Sequence, residues 1–149
     1  MTALLDVKAL IALVDSDHIS HAAAAAWFSE NHHRGWATCP ITENGMVRVL
    51  SQPTYPSGQR TPAEVIDVLN ALKSSFAESY QFWSDEISLS DGSLFKSAFI
   101  TGPREVTDVY LLGLAMRKKG KVISFDRSLP WQAIKGGSGH LVLNPSGRK

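Results

Sequence analysis

A single cysteine, Cys39, stands among the 149 residues. It excludes an internal disulfide and leaves no Cys pair for a zinc site. This usage fits a reducing compartment, with Cys39 a small buried hydrophobe. Long apolar runs are equally lacking. The opening MTALLDVKALIALV is interrupted by Asp6 and Lys8, whereas a secretory leader needs a basic start before an unbroken apolar stretch and a spanning helix needs about 20 apolar residues. The expectation is a cytoplasmic protein without a membrane segment. Charge of one sign is scarce too: the net formal charge is +1, so any nucleic-acid contact must come from a local patch. No internal repeat, interdomain linker, Ser/His/Asp or Cys/His arrangement stands out, and no second acid adjoins Asp6, as a receiver or phosphatase site would want.

What is present is an ordinary globular composition, 44% hydrophobic and 19% charged, enough for one domain over 1–149 with a sizeable core. Apolar runs at 3–5, 36–38, 122–125 and 141–143 read as short strands, with β-prone pieces at 80–83 and 87–89. Helical spacing marks 7–14, 18–32, 41–50, 61–75 and 106–118, with a short helix expected at 91–97. Gly35 and Gly120 are the expected stops of their helices. Thr61, Pro62 and Glu64 form a capping-box signature, and 51–60, rich in Pro, Ser and Gly, reads as a loop. Helices alternating with strands predict a small three-layer α/β/α domain with a mainly parallel sheet.

Four acids punctuate this order. Asp6 and Asp126 end strand runs, while Glu43 and Asp108 fall in the first turns of helices. Each alone is explained by helix capping or the macrodipole, worth about 0.3–1 kcal/mol. Together they are placed on the carboxyl edge of one parallel sheet, where ligands of open α/β folds bind. Several carboxylates in one crevice call for a cation, and oxygen-only ligands favour Mg²⁺, with Mn²⁺ also possible. The chemistry this implies is phosphate-ester hydrolysis by an activated water. Ser124 and Thr107 flank the acids as hydrogen-bonding partners or as plain strand and cap residues, and Arg48 and Arg127 are candidate phosphate contacts or solvated charges. His18 and His21 lack a third ligand at matching spacing, the basic run 117–121 completes a helix C-terminus, and Trp36, Trp83 and Tyr80 read as core.

The segments LLDVKALIAL (4–13), CPITENGMVRVLS (39–51), VTDVYLLGLA (106–115) and ISFDRSL (123–129) resemble the PIN-domain ribonucleases, specifically toxins of VapBC toxin-antitoxin modules. The likeness spans nearly the whole chain, apart from 51–60 and 144–149. It implies a five-stranded parallel sheet between helices, with Asp6, Glu43, Asp108 and Asp126 as catalytic and metal-binding carboxylates. It further implies an Mg²⁺-dependent endoribonuclease acting on structured RNA such as tRNA or rRNA and leaving 5′-phosphate and 3′-hydroxyl ends. The implied partners are an antitoxin with an Arg-bearing tail and a second copy of the chain, to which the apolar faces of 41–50 and 61–75 also point. The chain departs from the resemblance at Lys8, where the family usually places Asn. The Lys8 ammonium is expected to reach Asp6 or Asp108 and compete with the metal, or to bind substrate phosphate. That departure keeps two alternatives alongside the ribonuclease: an attenuated scaffold acting by binding its antitoxin or RNA, and a PIN-like nuclease of DNA.

Overall fold

The computed structural model describes residues 1–126 and 128–146, so the expectation for Arg127 lies outside it. Three-residue strands β1 (Ala3–Leu5), β2 (Trp36–Thr38), β3 (Tyr80–Phe82) and β4 (Lys121–Ile123), with the two-residue β5 (Val142–Leu143), form one sheet in the order β3-β2-β1-β4-β5. Every pairing is parallel. The α-helices are α1 (Val7–Val14), α2 (His21–Asn31), α3 (Pro40–Leu50), α4 (Pro62–Ser75) and α5 (Val106–Arg117). Parallel strands need crossover connections; the helices supply them up to β4, whereas 3-10 turns at Trp131–Ala133 and Gly139–Leu141 lie between β4 and β5.

Side-chain alternation in the strands assigns the two faces. Ala3, Leu5, Trp36 and Ile123 turn into a core with Leu10, Phe28, Met46, Leu50, Val65 and Leu69 from α1–α4. Leu4, Ala37 and Val122 face the opposite core, built on Val109, Leu111, Leu112 and Leu114 of α5 with Trp83, Phe95, Leu129, Ile134 and Leu141. Gly45 lets α3 close onto the start of α1: a Cβ there would come 2.5 Å from a Val7 methyl. Gly35, at φ +110°, turns the chain from α2 into β2 where a side-chain-bearing residue would be strained.

The helix starts follow local chemistry. Thr61 accepts from the Glu64 amide at 3.1 Å, and the Glu64 carboxylate accepts from the Thr61 amide at 3.4 Å, completing the capping box. Asp15, buried at the end of α1, accepts hydrogen bonds from Tyr55 (2.6 Å), Ser57 (2.9 Å) and the Asp17 amide (3.1 Å), with Arg60 at 3.8 Å. Burial works to raise its pKa, but these donors outweigh it and hold the carboxyl below its ordinary value. The 51–60 loop is thereby fastened to the body through one charge.

Several boundaries differ from expectation. Helix α2 begins at His21, because Asp15 and His18 draw the preceding residues into turns through bonds to the His18 and Ser20 amides. After α5 the left-handed position is Lys119, at φ +57°, rather than Gly120. Gly120 is needed for proximity instead, since a Cβ would meet the Thr2 carbonyl at 2.5 Å and Trp83 at 2.6 Å. Residues 87–89 form no strand and 91–97 no α-helix; a 3-10 turn at Ser97–Phe99 stands there. Strand β4 stops at Ile123, before Ser124 and Phe125, and β5 starts at Val142 because 139–141 is a 3-10 turn. No helix among the described residues is long and apolar enough to cross a membrane.

Candidate active site at the carboxyl edge of the sheet

Central strands β1 and β4 deliver Asp6 and Asp126 to the same edge. The Asp6 amide donates to the Ile123 carbonyl at 3.1 Å, carrying the ladder past β1, while its carboxylate caps α1 by accepting from the Ala9 amide at 2.7 Å. Asp6 is 5% exposed. Burial pushes its pKa from 3.8 to about 6 against the Ala9 amide and the neighbouring Ser124 hydroxyl, with the negative charges of Asp126 and Asp108 pushing the same way. Helix α5 runs back toward β4, so its first turn places Asp108 beside this pair. Asp108, half-buried, is also raised, by burial and then by the charge of Asp126, with Lys8 opposing. Three aspartates remote in sequence therefore feel one another's charge. Ser124, fully buried, also accepts from the Asp126 amide at 3.1 Å, so one hydroxyl serves both strand-end acids.

Lys8 is engaged elsewhere than expected. Its Nζ lies 3.1 Å from Asp126, not on Asp6 or Asp108, and the two side chains are 67% and 39% exposed. The hydrogen bond and charge of Asp126 hold the ammonium above its ordinary pKa. A pair this exposed is worth about 0.2–1 kcal/mol, well below the attraction of a desolvated pair.

Glu43 stands apart from the aspartates. Its Oε2 accepts from Lys73 Nζ at 2.7 Å, Thr38 Oγ1 at 2.5 Å and the Tyr80 hydroxyl at 3.4 Å. Burial works to lower the pKa of Lys73, yet the bonds to Glu43 and Tyr80 prevail and hold it up. Thr38, Lys73 and Tyr80 carry no motif that marked them in sequence. The Lys73 ammonium also sits 5.3 Å from the Tyr80 ring centre and 5.5 Å from that of Phe82, so Tyr80, expected as core, faces the site by its hydroxyl. In this conformation no three His, Cys, Asp or Glu side chains among the described residues stand close enough to hold one ion. Thr107 is exposed, and His18 and His21 are engaged with local backbone.

No family model matches the chain, but individual proteins do. It is 43% identical over 136 residues to Ribonuclease VapC44 of Mycobacterium tuberculosis, covering 91% of this chain and 94% of that one. It is 42% identical over 136 residues to Ribonuclease VapC39 of the same organism, covering 91% and 96%. Among solved structures, VapBC2 from Rickettsia felis bound to a DNA fragment from its promoter superposes with a TM-score of 0.62 at 10% identity, over 97% of this chain and 98% of that one. FitAB bound to the IR36 DNA fragment gives 0.62 at 14% identity, over 99% and 97%. The structural likenesses establish the fold, an all-parallel five-stranded PIN domain. With the sequence identities, they place this chain in the VapC family of PIN-domain ribonucleases.

Proposed function

We propose that the protein is the ribonuclease toxin of a VapBC-type pair, cutting structured RNA such as tRNA or rRNA in the cytoplasm with the help of Mg²⁺ or Mn²⁺. One placement carries the metal dependence: Asp6, buried where β1 is tied to β4, shares the carboxyl edge with Asp108 and Asp126, and burial first and then the neighbouring acids hold Asp6 and Asp108 above their ordinary pKa. Negative charge beyond what Lys8 balances is the condition a divalent cation relieves, and an all-oxygen donor set suits a hard one. Asp6, Asp108 and Asp126 would hold it, with Glu43 joining once released from Lys73. When bound, the cation would supply Lewis-acid activation of water and neutralise charge on the phosphate.

The chain's own residues supply positioning. The Ala9 amide and Ser124 fix the Asp6 carboxylate. Lys8, released from Asp126, would meet a phosphate oxygen of the bound strand. No protein nucleophile is required, and the expected products carry 5′-phosphate and 3′-hydroxyl ends. The partner would be an antitoxin whose tail presents Arg to the acidic edge, since a guanidinium pairs bidentately with carboxylates. Ile66 and Val68 of α4, exposed despite their size, suit a homodimer face.

Two observations, the Lys8–Asp126 and Lys73–Glu43 pairs, favour a second reading in which the protein binds RNA or antitoxin with weakened catalysis. Matched RNA and DNA oligonucleotides incubated with Mg²⁺ and then with EDTA decide between them. The ribonuclease reading expects RNA alone to be cut, and only with metal. Intact RNA under both conditions, with metal binding absent by calorimetry, would establish the weakened scaffold. Cut DNA with intact RNA would establish a DNA nuclease.

A further inference from the structure

Beside the acidic edge lies a groove of about 1010 Å³, lined by Asp126, Glu105, His140 and Asn144 among others. Two of the segments that line it are tied together at a fixed spacing. Phe95 and Ile134 form an antiparallel bridge, and the Lys96 amide donates to Ala133 at 2.7 Å while the Lys135 amide donates to Leu94 at 2.8 Å. One tied segment presents Phe99 and the other Trp131, both lining the groove. Phe99 is 54% exposed although it belongs to a chain with ample core to receive it, and the Lys96 ammonium stands 5.6 Å from its ring centre.

The lining chemistry discriminates among ligands. Its described residues include no Lys or Arg, and its charged members, Glu105 and Asp126, are negative. Among its described lining residues, none offers a phosphate an ammonium or guanidinium. Aromatic faces with Ser, Asn, Gln and His edges suit neutral heterocycles, which stack and hydrogen-bond along their edges. The volume exceeds that of a drug-sized ligand site, and the groove is continuous with the acids that would act on the scissile phosphate.

We propose that this groove receives unpaired nucleobases of the RNA adjoining the cleaved phosphodiester, with Phe99 as a stacking platform and His140 reading base edges, while the phosphates run outside past Lys96. The proposal rests on the ribonuclease reading and adds the element that selects sequence. A structured RNA must then present a loop or bulge here, because a paired base cannot enter.

The test uses full-length protein in EDTA, so that nothing is cut, titrated with fluorescein-labelled single-stranded RNA decamers of A, C, U and mixed sequence. Phe99→Ala, an exposed position that leaves the core intact, is expected to weaken binding about tenfold or more, the loss of roughly one stacked base. Phe99→Leu, which keeps bulk without a π face, should weaken it similarly. The ratio of wild-type to variant affinity should be the same in low and high salt, since stacking releases no counterions. His140→Ala should alter the order of preference among the decamers, and with Mg²⁺ the Phe99 variant should raise KM more than it lowers kcat. RNA cleaved normally by Phe99→Ala, with unchanged decamer affinity, would overturn the groove assignment while leaving the ribonuclease reading intact. Unchanged decamer binding with lost affinity for an Arg-bearing antitoxin peptide would likewise overturn it, giving the groove to the antitoxin. Absence of any RNA cleavage by the wild type would defeat the underlying reading instead.

Discussion

Replacing Asp6 by Asn tests whether the acidic edge stores unrelieved charge. Asn caps helices as well as Asp does, so the bond from the Ala9 amide at 2.7 Å can be kept while the charge is removed. The rise of the Asp6 pKa from 3.8 to about 6 corresponds to about 3 kcal/mol at a pH well above both values. A carboxyl raised in the folded state holds its proton more tightly there than in the unfolded chain. The Asp6 contribution to wild-type stability therefore climbs as pH falls through 6 and levels off below about 4. Urea unfolding in EDTA at several pH values between 4 and 8 should show Asp6→Asn more stable at pH 8 by about 1–3 kcal/mol, the lower figure allowing for the buried amide N–H₂ that Ser124 must accept. The advantage should shrink through pH 6 and vanish near pH 4. Mg²⁺ should narrow the gap at pH 8 by stabilising the wild type through binding. A variant less stable at pH 8, or a difference that does not change with pH, would refute the reasoning and leave Asp6 as a cap alone.

Asp108→Asn should abolish RNA cleavage and leave the metal-free melting temperature level or slightly higher, because it removes an acid raised by burial and by Asp126; a clear drop would assign Asp108 to helix capping. Lys8→Asn should raise Mg²⁺ affinity in calorimetric titration by no more than about fivefold, the ceiling set by an exposed pair worth under about 1 kcal/mol between side chains 67% and 39% exposed. Slower cleavage with unchanged metal affinity would make Lys8 a substrate contact. Lys73→Met should lower metal-free stability by about 1–3 kcal/mol by leaving Glu43 without its cation and should tighten Mg²⁺ binding; that gain should disappear in the Lys73→Met, Glu43→Gln double variant if Glu43 is the ligand set free.

The parts of the fold legible in sequence were those governed by local chemistry. Helix α4 follows from Thr61, Pro62 and Glu64, whose reciprocal bonds form as the motif requires. Strands β1 and β2 follow from apolar runs whose residues are all buried. Residues 87–99 were not legible because their structure is settled from outside: the Phe95–Ile134 bridge and the bond from Lys96 to Ala133 join segments nearly forty residues apart. Apolar composition there signals burial against α5, not strand pairing. The stop after α5 shows the same limit, since Gly120 answers to Thr2 and Trp83 across the sheet and the left-handed turn falls to Lys119.

For the site, strand ends and helix starts fix where a residue lies along the fold, and they bring Asp6, Asp108 and Asp126 within reach of one another's charge, while Glu43 meets Lys73 instead. Which cation each acid meets depends on side-chain reach between elements, and sequence order does not encode it. Lys8 lies two residues from Asp6, the cap of its own helix, yet its chain extends across to Asp126 beyond the end of β4. Lys73 lies thirty residues beyond Glu43, yet the antiparallel packing of α3 and α4 brings it to 2.7 Å. The two pairs differ in consequence. The exposed Lys8 pair is solvated and gives way easily to a divalent cation, whereas the Lys73 pair is more buried, backed by Thr38 and Tyr80, and is the stronger restraint on completing the four-acid set. On the proposed metal-dependent reading Lys73 would be the greater obstacle to loading, although Lys8 is the departure visible in sequence, and the comparison of their two variants in one Mg²⁺ titration ranks them directly.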